Sequence, residues 1–243
     1  MSLVIVLAAG ATIGAAMVAR SAFGFGHGAF AMPLLVLTLE VTTATPLLGA
    51  VSFVMSLYGL AQGWRELRLR AALGLILGAL PGIPIGVAAL LYLDPKASLL
   101  TLAGLLAALS IRGLLGLRLP RLTSDRLGPL FGFMGGVLGG AFNLTGIPVA
   151  VFGAMRGWSP ADFRMMFNGY FLVTGAVSLS GYVASGLMTA EVGTLFLLCL
   201  PPALLGDWLG RRLNQAMSRE TFERWIWSLI LATSALLIVK QLW

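Results

Sequence analysis

The residues able to do chemistry in this chain gather at two glycine-rich interruptions of otherwise apolar sequence. The first reads Phe23-Gly24-Phe25-Gly26-His27-Gly28-Ala29-Phe30-Ala31-Met32-Pro33 and holds the single histidine. The second reads Gly139-Gly140-Ala141-Phe142-Asn143-Leu144-Thr145-Gly146-Ile147-Pro148. Glycine is poor helix material, and proline is tolerated best in the first turn of a new helix. A helix is therefore expected to restart near Ala31, and another to start with Asn143 or Thr145 as its cap and Pro148 in its first turn. Each start offers free backbone N–H groups and the positive end of a helix dipole, a combination that binds anions. Gly26, His27, Gly28, Asn143, Thr145 and Gly146 are the candidate binding residues. Two stripes at helical spacing, Gly49-Ser52-Ser56-Gly59-Gly63 and Asn168-Gly175-Ser178-Tyr182, line either a tight interface or a hydrated path. They add Ser52 and Asn168 to the candidates.

Each feature also has a purely structural reading. Gly128, Gly132, Gly136 and Gly140 recur every fourth residue, as do Gly74, Gly78, Gly82 and Gly86. Such ladders serve close helix packing. His27 either bridges the helix break by a hydrogen bond or handles substrate or a proton. Arg20, after the first apolar run, either sits at a cytoplasmic turn or reaches an anion. Arg164 and Arg156 flank GWSPADF, where Asp162 offers a local partner, so Arg164 belongs either to a solvated cluster or to an anion or coupling site. Asp207 precedes Arg211 by four residues, the spacing of a helix-surface ion pair. No HExxH and no second histidine are present, Ser21 six residues before His27 is a weak match to a nucleophilic site, and no enzyme is expected.

Positioning these groups falls to membrane helices. Of 243 residues, 58% are apolar and 10% charged, and mean hydropathy is +0.95, which excludes a water-soluble fold. At about 20 residues per span, the length allows roughly eight to ten crossings. The surplus of 16 Lys+Arg over 9 Asp+Glu sits in short loops, where it signals topology and meets lipid head groups rather than nucleic acid. Cys199, alone in the apolar run LFLLCLPP, allows neither an intrachain disulfide nor a thiolate cluster. The start, MSLVIVLAAGATIGAAMVAR, lacks a basic n-region and is expected to be retained, beginning outside.

Ten apolar runs divide five and five: 2–19, 22–39, 45–63, 71–93 and 97–116, then 127–142, 144–155, 165–187, 190–210 and 225–242. The halves match weakly: Gly24 and Pro33 answer Gly139 and Pro148, Thr45-Pro46 answers Ser159-Pro160, and Leu80-Pro81 with Gly86 answers Leu200-Pro201 with Gly206. The expected organisation is one integral membrane domain, with an N-terminal repeat 1–116, a basic cytoplasmic linker 117–126 and a C-terminal repeat 127–243. The loop between the second and third runs is acidic around Glu40 in one half and basic around Arg156 in the other. By the positive-inside rule the third run crosses inward in the first half and outward in the second, so the halves are inverted. Runs of about 15 and 12 residues in 127–155 are short for a ~30 Å hydrocarbon core and point to discontinuous or re-entrant helices. The fold class expected is an all-α polytopic membrane protein of two inverted repeats, multi-pass in the inner cell membrane, with both termini outside.

At AFNLTGIPVAVFGAMRGWSPADFRMMFNGYFL the chain resembles the TauE/SafE family of sulfite-exporter-type permeases, through Gly139, Gly140, Asn143, Thr145, Gly146, Pro148, Trp158, Phe163 and Arg164. Gly24, Gly26, Gly28 and Pro33 carry the likeness in the first repeat. His27 departs from it, standing where glycine is frequent, as does Ile147, where a second proline is common. The resemblance implies outward movement of sulfite, sulfonates or thiosulfate by alternating access, with no bound cofactor. The partners are then a small anionic substrate and the lipid bilayer, with a homodimer left open. An anion channel and a non-transporting intramembrane scaffold or assembly subunit are the alternatives.

The loop charges generate a labelling test. With Cys199 replaced, Glu66→Cys and Thr123→Cys should react with an impermeant thiol reagent only from the cytoplasm, and Glu40→Cys only from outside. Labelling of positions 40 and 66 from the same side overturns the inversion.

Overall fold

A computed structural model of the chain describes residues 2–23, 26–63, 69–116, 120–158, 160–213 and 219–242. A helix occupies each of the ten apolar runs. They are α1 (Leu3–Phe23), α2 (His27–Leu35), α3 (Val41–Gly63), α4 (Leu69–Tyr92), α5 (Pro95–Leu114), α6 (Gly128–Phe142), α7 (Gly146–Arg156), α8 (Pro160–Ala184), α9 (Ala190–Leu213) and α10 (Arg219–Leu242). Among the described residues, five of these, α1, α3, α4, α5 and α9, are long and apolar enough to cross a membrane. The chain is an all-α polytopic membrane protein. Its burial pattern suits that solvent: Leu77, Ile85, Leu130, Leu197 and Leu205 are exposed, while Ser52, Ser56, Thr145, Thr174 and Ser178 are buried. The basic loop at 64–68 and the side chain of Asp162 lie outside the described residues.

Three starts and stops follow from local chemistry. Asp94 caps α5, its Oδ1 accepting from the Ala97 N–H at 3.0 Å ahead of Pro95 in the first turn. α7 carries Pro148 in its first turn as expected, but Thr145, at its N-cap position, makes no side-chain cap bond. Asn143 instead ends α6. It adopts φ 55°, a left-handed helix stop; its own N–H donates to the Gly139 carbonyl at 2.9 Å, and the Leu144 N–H reaches back six residues to the Leu138 carbonyl at 3.1 Å. The first break also departs from expectation. α2 begins at His27, four residues before Ala31, which leaves Pro33 inside the helix rather than in its first turn. Gly26, at φ 91°, turns the chain in a conformation that L side chains resist, so the helix starts directly after it.

α6 has 15 residues and α7 has 11, lengths of about 22 and 16 Å, both below the ~30 Å core. They fold back on each other as an antiparallel hairpin. Phe131 near the start of α6 meets Phe152 near the end of α7 at 5.4 Å between ring centroids, and the Leu122 N–H donates to Met155 O at 2.8 Å. Arg156 closes the same end through Asp125 (2.7 Å) and the Leu122 carbonyl (2.9 Å).

Two glycine-lined interfaces hold the bundle. α4 packs on α6 so closely that Cβ atoms at Gly78, Gly82 and Gly86 would overlap the carbonyls of Pro129, Phe133 and Val137. Those at Gly132, Gly136 and Gly140 would overlap the carbonyls of Leu75, Ala79 and Ile83. The two ladders therefore interlock with each other, as their packing reading requires. α1 packs on α9 in the same manner, with Gly206 against the Gly14 carbonyl. α5 pairs with α10, and α3 with α8.

Substitutions should separate interlocked from open glycines. Gly86→Ala and Gly132→Ala force two backbones apart and should cost about 1–3 kcal/mol or more. Gly104→Ala and Gly193→Ala, where a Cβ meets nothing within 4 Å, should be neutral or stabilise by up to about 1 kcal/mol. Melting of the detergent-solubilised protein reads the difference, and equal shifts for both pairs would refute the interlock.

Candidate functional site

The two helix breaks meet. A Cβ at Gly28 would overlap the Asn143 carbonyl oxygen, so the first turn of α2 lies directly on the α6–α7 junction. α3 and α8 pack alongside and complete a buried cavity lined by Gly49, Ser52, Phe53, Ser56, Asn143, Thr145, Phe171, Thr174, Gly175 and Ser178. Its volume is about 20 Å³, room for roughly one water. Hydroxyls and an amide dominate its polar wall, and no carboxylate lines it among the described residues.

Ser52 ties the wall together. Its Oγ lies 2.9 Å from His27 Nε2 and accepts from Asn143 Nδ2 at 3.3 Å. Its backbone carbonyl accepts from Arg20 Nη1 (3.1 Å) and from the Ser56 hydroxyl (2.8 Å). Arg20 Nη2 donates in turn to Ser56 Oγ at 2.8 Å, and the guanidinium sits 5.9 Å from the centre of the Phe171 ring. Arg20 is only 8% exposed, which rules out the solvated-turn reading of this residue. His27, 3% exposed, meets Phe171 edge-on at 5.7 Å.

The stop of α6 is held from the other side. The Tyr182 hydroxyl donates to the carbonyls of Gly139 and Gly140, 3.0 Å each, and Thr45 Oγ1 donates to Ala141 O at 3.2 Å. The Gly139 carbonyl also accepts from the Asn143 N–H at 2.9 Å, whereas those of Gly140 and Ala141 stand at the helix end, where carbonyls lack an intrahelical partner in an apolar medium. Gly139 leaves space for the Thr145 hydroxyl, and a Cβ at Gly146 would stand 2.9 Å from Phe171 Cζ.

The expected site residues thus fall into three groups. Ser52, Asn143 and Thr145 face the cavity; His27, Gly28, Gly146 and Arg20 form the layer behind it; Gly26 shapes the turn, with open space where a Cβ would be. The side chains of Arg164 and Asn168 lie outside the described residues. Asp207 bonds Arg211 as the spacing predicted, and it also accepts from Ser21. Thr174, Phe53 and Phe171 are cavity residues that sequence reasoning missed. The signal was present, because Phe171, Thr174, Gly175 and Ser178 continue one α8 face at three- and four-residue spacing.

A bundle of apolar helices around a buried hydroxyl-lined cavity defines a polytopic membrane protein with a polar interior. The chain belongs to the sulfite exporter TauE/SafE family, whose sequence model matches residues 3–237. It is 25% identical over 238 residues to a probable sulfite/organosulfonate exporter TauE of Cupriavidus necator, covering 96% of this chain and 93% of that protein. No solved structure matches it.

The Arg20 fork generates a stability test. Ser56→Ala removes a charge-assisted bond from a buried guanidinium and should cost about 1.5–3 kcal/mol. Ser180→Ala, on the exposed side of α8, should stay within about 0.5 kcal/mol. A Ser56→Ala protein that melts with the wild type would show that Arg20 does not depend on this bond.

Proposed function

We propose that the chain is a secondary transporter of small sulfur-containing anions such as sulfite, sulfonates or thiosulfate, exporting them across the inner cell membrane by alternating access. The observation that carries this reading is the cavity itself: Ser52, Ser56, Asn143, Thr145, Thr174 and Ser178 around one space, a buried guanidinium behind it and no carboxylate in its described wall. Neutral donors with a cation in the second layer hold a compact oxyanion without trapping it. The relative in Cupriavidus necator, named for sulfite and organosulfonates, supports the same substrate class.

Helix pairing supports two repeats divided at 117–126. A two-fold relation taking each helix to the one five places later exchanges the α1–α9 and α4–α6 pairs and maps α3–α8 and α5–α10 onto themselves, the pairing observed. Loop charge supports an inverted arrangement with both termini outside. On this reading a cavity of about 20 Å³ must enlarge to hold a sulfonate, so loading involves a rearrangement of the helices around it. That requirement favours a carrier over an open channel.

Proteoliposomes should show saturable flux of sulfite and methanesulfonate, and flux rising linearly into the millimolar range or equal for cations would remove the carrier. Asn143→Ala and Thr145→Ala each delete a bond worth roughly 0.5–1.5 kcal/mol, or more toward a charged ligand, and should weaken binding about three- to tenfold. Asn143→Asp is nearly isosteric and should abolish binding while the protein stays folded. Normal affinity in a folded Asn143→Asp protein would place the site elsewhere.

A further inference from the structure

We propose that His27 is a positioning residue: it donates from Nε2 to Ser52 and thereby turns a hydrogen-bond donor of the Ser52–Asn143 pair into the cavity, toward an oxyanion. The inference rests on the transport reading and specifies how its site is kept donor-rich.

The argument is a count of protons and lone pairs. Ser52 Oγ has one proton and two lone pairs, and it bonds both His27 Nε2 (2.9 Å) and the terminal amide of Asn143 (3.3 Å). His27 Nδ1 is buried and has no hydrogen-bond partner among the described residues. If Nδ1 carried a proton, as in the other neutral tautomer or in the imidazolium, a buried N–H would be left without an acceptor. Orphaned buried N–H groups are rare and costly, whereas an unfilled acceptor position is tolerated more often. The proton therefore belongs on Nε2, and Ser52 Oγ accepts it.

The consequence passes to the cavity, which both Ser52 and Asn143 line. With Asn143 Nδ2 donating, Ser52 Oγ accepts two bonds and its own proton is free to point inward. With the amide in the opposite orientation, Ser52 donates to Asn143 Oδ1 and the amide N–H groups face inward instead. Either way the pair offers a donor to the cavity. Had His27 accepted at Nε2, the Ser52 proton would be spent on the ring and the pair would offer the cavity one donor fewer, the second amide N–H of Asn143 alone. Arg20 holds the Ser52 carbonyl at 3.1 Å and keeps the hydroxyl in this register.

Because the chain has a single histidine, ¹⁵N-histidine labelling of the full-length untagged protein in detergent or nanodiscs gives one ring to assign. The protonated nitrogen should be the one correlated with both ring carbon-bound protons, which is Nε2; a proton on Nδ1 overturns the proposal. A second arm uses methanesulfonate binding. His27→Gln keeps an amide donor at the Nε2 position and should bind within about twofold of wild type, whereas His27→Asn places its donor at the Nδ1 position and should lose about five- to tenfold. In a Ser52→Ala background, His27→Asn should add no further loss. Equal loss in His27→Gln and His27→Asn, or a full additive loss in the double variant, overturns the relay. A wild type that binds no oxyanion would instead fell the transport reading, while the nitrogen spectrum still decides the tautomer on which the relay stands.

Discussion

Ser52 is the point on which the interior depends. Arg20 from α1, His27 from α2, Ser56 from α3 and Asn143 from the α6–α7 junction all bond to this one residue, through its carbonyl or its hydroxyl. In hydrocarbon, backbone freed by a broken helix has no water to turn to, so an interrupted helix survives only where other groups satisfy it. The breaks at Gly26 and Asn143 survive because they are pressed together, with the Asn143 carbonyl against Gly28 and the end of α6 bonded by Tyr182 and Thr45. The polar cavity is what remains between these obligatory contacts and the α3 and α8 faces. Stability of the breaks and availability of the site are consequences of one arrangement.

The two glycine interfaces do not share that arrangement equally. Between α4 and α6, carbonyls and glycine Cα atoms alternate along the contact. The α1–α9 contact keeps close approaches at Gly206 and Gly210 but carries the charged set: Ser21 and Arg211 on Asp207, and Arg20 reaching inward to Ser52 and Ser56. Interlocked backbones give almost no freedom to slide, because an interior at this density moves between discrete packings rather than continuously. Among the described residues, the charge behind the cavity is thus carried by α1, opposite an α6–α7 hairpin that supplies neutral donors.

Much of this was legible in the sequence. Hydropathy gave all ten helices, since a bilayer imposes length and composition on each one, and the glycine ladders announced interlocking because a four-residue period places every glycine on one face. Asn143, Thr145 and Ser52 were found as polar residues at breaks or on a stripe. What failed was local and tertiary. Proline preference points to a start of α2 near Ala31, but a left-handed Gly26 sets it at His27, and of the two cap candidates Thr145 takes the N-cap position of α7 while Asn143, by its φ, ends α6. Arg20 looked like a loop charge because nothing in its neighbours along the chain says that Ser52 and Ser56, more than thirty residues away, will receive it. Thr174 shares the face of the Gly175–Ser178 stripe, and that spacing marks it as a cavity residue even though its immediate neighbours are apolar.

Charge accounting explains why this interior suits an anion rather than a neutral solute. The hydrogen bonds of Arg20 go to a carbonyl and a hydroxyl, dipoles that solvate a cation without cancelling it. Asp207, which acts on Arg20 at longer range, is already bonded to Ser21 and Arg211. A buried charge without a full counter-charge keeps much of its desolvation cost, and in a low-dielectric interior its potential reaches the neighbouring cavity barely screened. Filling that cavity with a compact anion recovers part of the cost, whereas a neutral solute recovers none and a cation adds to it. On the transport reading, the guanidinium stands behind Ser56 and Phe171 rather than in the cavity wall, so the attraction is moderated and an oxyanion would meet hydroxyls and an amide and leave without breaking an ion pair. That reading divides selection by sign from ease of release between two layers of one site.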